Sequence, residues 1–180
     1  MIKLITTVAS ALLFALSGSN NAVAQQEPDS KLRLELSTGG PVIIDLKPDL
    51  APKHVQRITK LAKRDFYDGL KFHRVIDGFM AQTGDPTGTG RGGSDLPDLK
   101  AEFSDYNYRR GTVGMARTSD PDSANSQFFI CFTDDGCSAL NGKYTVWGQV
   151  TQGMQYVDWL ATGEPPQNPD ALVEMEVVEE

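Results

Sequence analysis

Short alternating runs of apolar and polar residues dominate the chain from position 31 onward. Leu32, Leu34 and Leu36 alternate with charged residues, and the turn at 37–41 leads into a second apolar run at 42–46. Successive side chains of a β-strand point to opposite faces, so this pattern predicts a hairpin with one buried face. Further runs of strand character lie at 111–116, 125–132, 145–150 and 173–177.

Two stretches have helical spacing instead. Apolar residues recur every three or four positions between 52 and 62, and again between 154 and 160, before Gly163. Pro52 suits a first helical turn and glycine suits the end of a helix. We expect the basic residues and His54 of the first helix to lie on a solvated face. Two helices among many short strands predict a mainly β, antiparallel fold of the barrel or Greek-key type.

An arginine interrupts the apolar pattern at 70–76. If this stretch is a strand, alternation places Arg74 on the same face as Phe72 and Ile76. A guanidinium in an apolar row is costly to bury, so we expect it either to pair with a carboxylate or to have a role in binding or catalysis. We therefore treat Arg74 as the first candidate for chemistry in this chain.

Two further runs add amide and aromatic side chains. After a turn, Met80 and Gln82 share one face of an extended segment, with Phe79 at its mouth. In a later strand Gln127 and Phe129 share the face opposite the predicted core. A concave apolar surface with one cation and a few amides is the usual composition of a small binding pocket.

A glycine-rich loop follows at 86–94 and includes Gly88. Its composition suggests a phosphate cradle, but no Lys-Ser or Lys-Thr pair follows and no helix begins directly after it. We interpret the segment as a flexible loop beside the pocket.

The N-terminus has the features of a secretory signal peptide. Lys3 precedes a short apolar run, and small residues lead to Ala22-Val23-Ala24, so we expect cleavage before Gln25. The apolar run is shorter than the ~20 residues of a spanning helix, so no stable membrane insertion is expected after cleavage. The predicted organisation is a signal peptide at 1–24, a flexible leader at 25–30 and one domain at 31–180.

Acidic residues outnumber basic ones, 24 to 17, which gives a net charge of −7. Nucleic-acid binding is therefore not expected, because it requires a basic surface. After Lys143 the chain has no lysine or arginine but several carboxylates, which we interpret as a solubilising surface.

Cys131 and Cys137 are the two cysteines of the chain. An exported protein is able to pair them, but disulfide geometry is strict and spacing does not guarantee it, so both the paired and the free state remain open. A metal site is less favoured, because only His54 and His73 are available as additional soft ligands.

Four separated motifs resemble those of the cyclophilin family of peptidyl-prolyl cis-trans isomerases in order and approximate spacing. They are Phe72-His73-Arg74-Val75-Ile76, Gly78-Phe79-Met80 with Gln82, Ser126-Gln127-Phe128-Phe129-Ile130, and Leu140-Asn141-Gly142-Lys143-Tyr144. The resemblance covers about 32–178. It implies a closed, eight-stranded antiparallel β-barrel with a helix over each opening.

The resemblance also implies a role for individual residues. Arg74 takes the position of the catalytic arginine, and Gln82 takes that of the glutamine that orients it. Phe79 is counted with these two as a catalytic residue. The remaining predicted substrate contacts comprise the proline pocket, the positions that meet the residues before proline, and neighbours on the same face or loop: Phe72, Ile76, Met80, Gly88, Ala116, Arg117, Gln127, Phe129, Leu140 and Tyr144.

The function implied by the resemblance is isomerisation of Xaa-Pro bonds without metal, nucleotide or other cofactor. With the signal peptide, it identifies an exported bacterial member, and we expect a periplasmic location if the source is a Gram-negative bacterium. The partners would be proline-containing, unfolded or newly exported polypeptides. Ala139 stands where cyclosporin-sensitive members carry tryptophan, so weak cyclosporin binding is expected.

Two alternatives are kept. The domain could hold proline-containing segments without turning them over, as a binding module. Alternatively, Arg74 could be structural and pair with a carboxylate such as Asp77 or Asp85, although such a role does not explain the surrounding aromatic residues.

Overall fold

The computed structural model describes residues 31–178, so the predicted signal peptide and leader lie outside the described residues. The strands are β1 (Lys31–Leu36), β2 (Gly39–Leu46), β3 (Leu70–Lys71), β4 (Arg74–Ile76), β5 (Met80–Thr83), β6 (Thr112–Met115), β7 (Phe128–Cys131), β8 (Val146–Gln152) and β9 (Ala171–Val178). The helices are α1 (Pro52–Ala62) and α2 (Met154–Asp158), and Ser138–Leu140 form a short 3₁₀ helix.

All strands belong to one antiparallel sheet in the order β3-β9-β1-β2-β8-β6-β7-β5-β4. The strands at its two ends, β3 and β4, are consecutive in the chain and are joined by Phe72 and His73. The sheet therefore curls until its ends are linked covalently, and the mainly β, barrel-like prediction is confirmed.

The expected strand count of eight becomes nine because the predicted strand at 70–76 is divided. Leu70 and Lys71 pair with β9, whereas Arg74 and the residues after it pair with β5 at the other end of the sheet. The chain must cross between these partners, and Phe72 turns inward as it does so. The alternation that placed Phe72 and Arg74 on one face fails at this crossing.

The main core lies inside the curled sheet. Leu32 and Leu34 of β1 are fully buried, as the alternation predicts. Phe128 of β7 meets Trp147 edge to face, with ring centroids 5.4 Å apart, and both side chains are inaccessible to solvent. Burial of large apolar side chains contributes about 1.5–3 kcal/mol each, and this cluster is the main source of stability.

Two polar residues of helix α1, His54 and Arg57, are buried and do not lie on the solvated face that we expected. His54 is fully buried, and its Nδ1 lies 2.6 Å from a Glu102 carboxylate oxygen. Burial lowers the pKa of His54, although the Glu102 carboxylate acts in the opposite direction. Arg57 is also buried and donates hydrogen bonds to the carbonyl oxygens of Pro97 and Asn125. The irregular segment around 95–102 lies against the helix and supplies Glu102 and Pro97, while Asn125 comes from the residues before β7.

Helix α2 is shorter than predicted, because it ends at Asp158 rather than continuing toward Gly163. Within residues 31–178, none of the helices has both the length and the apolar character needed to cross a bilayer.

Candidate active site

A groove of about 120 Å³ opens on the outer side of the sheet, where β4, β5, β6 and β7 meet the segment at 140–144. It is lined by Arg74, Phe79, Met80, Gln82, Ala116, Arg117, Phe129, Leu140 and Tyr144. The sequence placed all of these residues at the candidate site, and the structure brings them together.

The floor of the groove is a second apolar cluster, separate from the main core. Met80 and Phe129 are almost fully buried and lie on neighbouring strands, β5 and β7. Behind them Tyr108 stacks on Phe129 at 5.7 Å, and Tyr144 meets Phe129 edge to face at 5.9 Å. Rings packed in this way keep their orientation, so the floor presents a fixed apolar surface.

The Arg74 side chain lies at one end of this floor and is about one-third exposed. Its Nε donates a hydrogen bond of 2.6 Å to Glu164 Oε2. Its Nη1 lies 3.9 Å from Met80 Sδ, and its Cζ lies 5.9 Å from the Phe79 ring centroid. The guanidinium therefore has one edge on a carboxylate and the other toward the groove. Arg74 thus has a carboxylate partner, as the structural alternative required, but this partner is Glu164 and not Asp77 or Asp85.

Gln82 does not hold the Arg74 guanidinium as expected, although the two residues are directly paired across β4 and β5. Its Nε2 instead donates a hydrogen bond of 2.8 Å to Gln127 Oε1. The Gln127 amide in turn donates to the carbonyl oxygen of Gly92 at 2.8 Å. The two amides thus form a chain that connects the groove to the glycine-rich loop.

A larger cavity of about 450 Å³ adjoins the groove and shares Gln82, Ala116 and Arg117 with it. Gln127 lines this cavity rather than the groove. Arg117 stands between the two spaces, with its guanidinium 4.3 Å from the Tyr144 ring centroid and hydrogen-bonded to the Lys143 carbonyl oxygen. Arg117 therefore marks the passage between the groove and the larger cavity.

The sequence matches the family model described as "Cyclophilin type peptidyl-prolyl cis-trans isomerase/CLD" over residues 31–179. The chain belongs to the cyclophilin-type peptidyl-prolyl cis-trans isomerase family. A probable peptidyl-prolyl cis-trans isomerase from Brucella suis is 46% identical over 185 residues, covering 93% of each chain. Peptidyl-prolyl cis-trans isomerase B of Bacillus subtilis is 38% identical over 130 residues, covering 72% of this chain and 89% of the relative.

Solved structures agree with this assignment. A cyclophilin from Hirschia baltica has a TM-score of 0.72 and 32% identity, covering 83% of this chain and 74% of its own. A Cryptosporidium parvum cyclophilin crystallised in the presence of the dipeptide Ala-Pro has a TM-score of 0.76 and 26% identity, covering 83% and 99%. The chain is thus a cyclophilin-type isomerase in both sequence and fold.

Three predicted contacts line neither the groove nor the larger cavity of this cyclophilin. Phe72 has no exposed surface and belongs to the main core, so it does not contact a substrate. Ile76 is partly buried against the apolar floor but does not line the groove. Gly88 lies in the glycine-rich loop beside Lys71, outside both cavities. Phe72 is displaced by the break between β3 and β4, which alternation alone does not reveal.

The loop that we expected to be flexible is tied to the buried carboxylate of Asp85. This group accepts hydrogen bonds from the backbone N–H groups of Thr87, Thr89 and Gly90, at 2.8, 3.0 and 2.6 Å. Burial raises the pKa of Asp85, but hydrogen bonds from Thr87, Gly92 and Gly90 outweigh this effect and lower the pKa to about 2. The cyclophilin therefore holds the wall of its larger cavity through one ionised side chain.

We expect Asp85 to make the free energy of unfolding of the domain sensitive to acid between about pH 5 and 2. A carboxyl group whose pKa is depressed on folding stabilises the native state above its unfolded value of about 4, and that contribution is lost as the pH falls toward 2. The loss amounts to about 2 kcal/mol. The free energy of unfolding of the wild type, measured by urea titration, should fall more steeply between pH 5 and 2 than that of Asp85→Asn. Equal slopes would contradict this role.

Cys131 and Cys137 form a disulfide, which settles the alternative left open by the sequence. The bond joins the end of β7 to the residue before the 3₁₀ helix that carries Leu140, so it ties one wall of the groove to its floor. Among residues 31–178, no group of three or more His, Cys, Asp or Glu side chains is placed to hold a metal ion.

Replacing both cysteines with alanine should destabilise the cyclophilin by about 2 kcal/mol, because the disulfide closes a short loop in the unfolded chain. The groove wall loses its tether as well, so we expect KM for a proline peptide to rise more than kcat falls. Urea titration and peptide kinetics measure the two effects. An unchanged urea midpoint with unchanged KM would show that the wall holds its place without the disulfide.

Sequence reasoning missed three residues that shape the site. Glu164 was assigned to a solubilising acidic surface, Tyr108 lies in a segment to which no element was assigned, and Gly114 lies within the predicted strand run at 111–116 and was given no role in the site. Gly114 makes room for the rings of Tyr108 and Phe129. The glycine in the middle of a predicted strand was the available signal for this packing.

Proposed function

We propose that this cyclophilin accelerates rotation about Xaa-Pro bonds by binding the proline ring on the apolar floor and stabilising the twisted amide with Arg74. The observation that carries the proposal is the position of the Arg74 guanidinium, with one edge on Glu164 and the other toward Met80 and Phe79. The Ala-Pro dipeptide present with the Cryptosporidium parvum relative supports a proline ligand.

The mechanism requires no bond to be broken. Amide resonance opposes rotation with a barrier of ~18–20 kcal/mol, and the resonance is lost in the twisted state. The prolyl nitrogen then becomes a better hydrogen-bond acceptor, so a donor that meets it lowers the barrier without tightening ground-state binding. Arg74 suits this task, because its guanidinium remains charged and presents several donors in a fixed plane.

The remaining residues hold the peptide while one side of the bond rotates. Phe129 and Met80 form the surface against which the ring rests. The Gln82 and Gln127 amides lie beside the residues before proline, with Arg117 at the passage into the larger cavity. Because the proline ring is held still while the preceding carbonyl rotates, the binding energy of the peptide helps to favour the twisted geometry of the bond.

We further propose that the substrates are newly exported proteins, in the periplasm if the source is a Gram-negative bacterium. The signal-peptide pattern at 1–24 supports this setting. No nucleic-acid partner and no metal or other cofactor enter the proposed reaction. Cyclosporin binding should be weak because of Ala139, and a nanomolar affinity in a calorimetric titration would contradict that expectation.

The proposal is tested by the cis-to-trans exchange rate of a short Xaa-Pro peptide, measured by NMR exchange spectroscopy with and without the folded domain. Uncatalysed exchange takes tens to hundreds of seconds, so catalysis is easily detected. Acceleration supports the isomerase. A folded domain that binds the peptide without accelerating exchange would favour the binding-module alternative instead.

A further inference from the structure

A carboxylate lies against the proposed catalytic arginine, from a part of the chain that the four motifs do not include. Glu164 Oε2 accepts the hydrogen bond from Arg74 Nε at 2.6 Å. The two residues are 90 positions apart in the sequence, so the contact depends on the fold. Within residues 31–178, Glu164 is the carboxylate that forms an ion pair with Arg74.

The backbone holds Glu164 at this place. The preceding residue, Gly163, exchanges two hydrogen bonds with Val75 of β4, N to O at 2.8 and 2.9 Å, directly beside Arg74. Gly163 has a φ of +150°, and a Cβ there would lie 2.5 Å from Pro166 Cα, so this position requires glycine. Pro165 and Pro166 follow and restrict the backbone further. Glu164 is therefore held beside the edge of β4 by the Gly163–Val75 hydrogen bonds on one side and is followed by a restricted backbone on the other.

This carboxylate determines which edge of the guanidinium remains for a ligand. Nε is occupied by Glu164, while Nη1 lies toward Met80 in the groove. Gln82, which the family resemblance assigns to holding the arginine, is engaged with Gln127 instead. The orienting task is thus left to Glu164 in this chain.

We propose that Glu164 is a positioning residue for isomerisation, which holds Arg74 so that its Nη groups point into the groove before the peptide binds. The inference rests on the proposed role of Arg74. An arginine side chain has many rotamers, and one already held in its reactive orientation loses less freedom in the transition state. Both partners are partly exposed, so the pair should matter more for orientation than for stability.

The activity test compares Glu164→Ala with Glu164→Gln, because glutamine keeps an oxygen that can accept the Nε hydrogen bond. We expect Glu164→Ala to lower kcat about tenfold with KM changed less than about twofold, and Glu164→Gln to recover most of the loss. The matched control is Asp158→Ala, which removes the similarly exposed pair with Arg110, away from the groove. This control should retain wild-type kcat.

Three results would overturn the proposal. Wild-type kcat in Glu164→Ala would show that Arg74 needs no such support. A rise in kcat would mean that the carboxylate competes with the peptide for the guanidinium. An equal loss of kcat in Asp158→Ala would indicate general destabilisation by a lost surface pair.

A second readout is independent of turnover. The Nε–Hε NMR signal of Arg74 should exchange slowly with water in the wild type and rapidly in Glu164→Ala, because the hydrogen bond protects the proton. Rapid exchange in the folded wild type would overturn the proposed contact whatever the activity. Slow exchange in an inactive wild type would instead refute the isomerase function while leaving the ion pair established.

Discussion

Replacing Arg74 with alanine should reduce kcat/KM for a Xaa-Pro peptide by about 10²–10³-fold while the domain remains folded. Loss of one preoriented donor from a site that stabilises developing polarity has effects of this size. Stability should change little, because Arg74 is partly exposed and its pair with Glu164 is a surface ion pair. Peptide affinity should also be largely retained, since the substitution leaves the apolar floor formed by Met80 and Phe129 in place.

Exchange spectroscopy with wild type, Arg74→Ala and Arg74→Lys provides the measurement. Lysine keeps the charge but not the planar set of donors, so Arg74→Lys should remain strongly impaired. Arg110→Ala is the control, because Arg110 is an exposed arginine with a carboxylate partner outside the groove. If Arg74→Ala retained the wild-type rate, the proposed mechanism would be wrong, and catalysis would have to come from the apolar surface alone.

Replacing Gly114 with alanine should both destabilise the domain and disable the groove. A Cβ at this position would overlap the Tyr108 hydroxyl and would lie 2.6 Å from Phe129 Cζ. These rings are stacked and nearly buried, so a Cβ at Gly114 has to displace both, and Phe129 is part of the groove floor. Overpacking of this kind costs about 1–3 kcal/mol. We expect kcat/KM to fall at least about tenfold, because the floor of the groove, on which we propose that the proline ring binds, loses its shape.

Gly148→Ala separates the two effects of Gly114→Ala. Gly148 lies on β8 opposite β6, and a Cβ there would meet Ile44 Cγ2 of the main core at 2.7 Å. Gly148→Ala should also lower the urea midpoint. Its kcat/KM should stay near that of the wild type under conditions where both variants are folded. Similar activity losses in the two variants would show that Gly114 acts through stability rather than through Phe129.

The sequence predicted those parts of the site that depend on strand alternation. Met80 and Gln82 share a face of β5, and Phe128 and Phe129 divide between the main core and the groove, because the strand period of two applies without interruption there. The motifs that resemble cyclophilins then identified the groove residues on the 140–144 segment, which has no strand period of its own.

The features that were mispredicted depend on contacts between distant segments. Phe72 left the predicted face because the strand at 70–76 changes partners partway along. His54 is buried because Glu102 and its neighbours cover α1, and Glu164 reaches Arg74 through the backbone bridge between Gly163 and Val75. No local pattern encodes such pairings, since each depends on a partner far away in the sequence. For His54 and Glu164 the local pattern is also misleading, because polar residues in such surroundings usually lie on the surface.

The order of strands in the sheet has a consequence for how the protein is made. The last strand, β9, lies between β1, the first strand, and β3. A chain that leaves the ribosome from its N-terminus therefore holds β1 with one edge unpaired, and β3 without its partner, until residues 171–178 emerge. An open strand edge invites association with other chains. The sheet is therefore incomplete until residues 171–178 are available, and a chain that stops before Ala171 would retain the exposed edges.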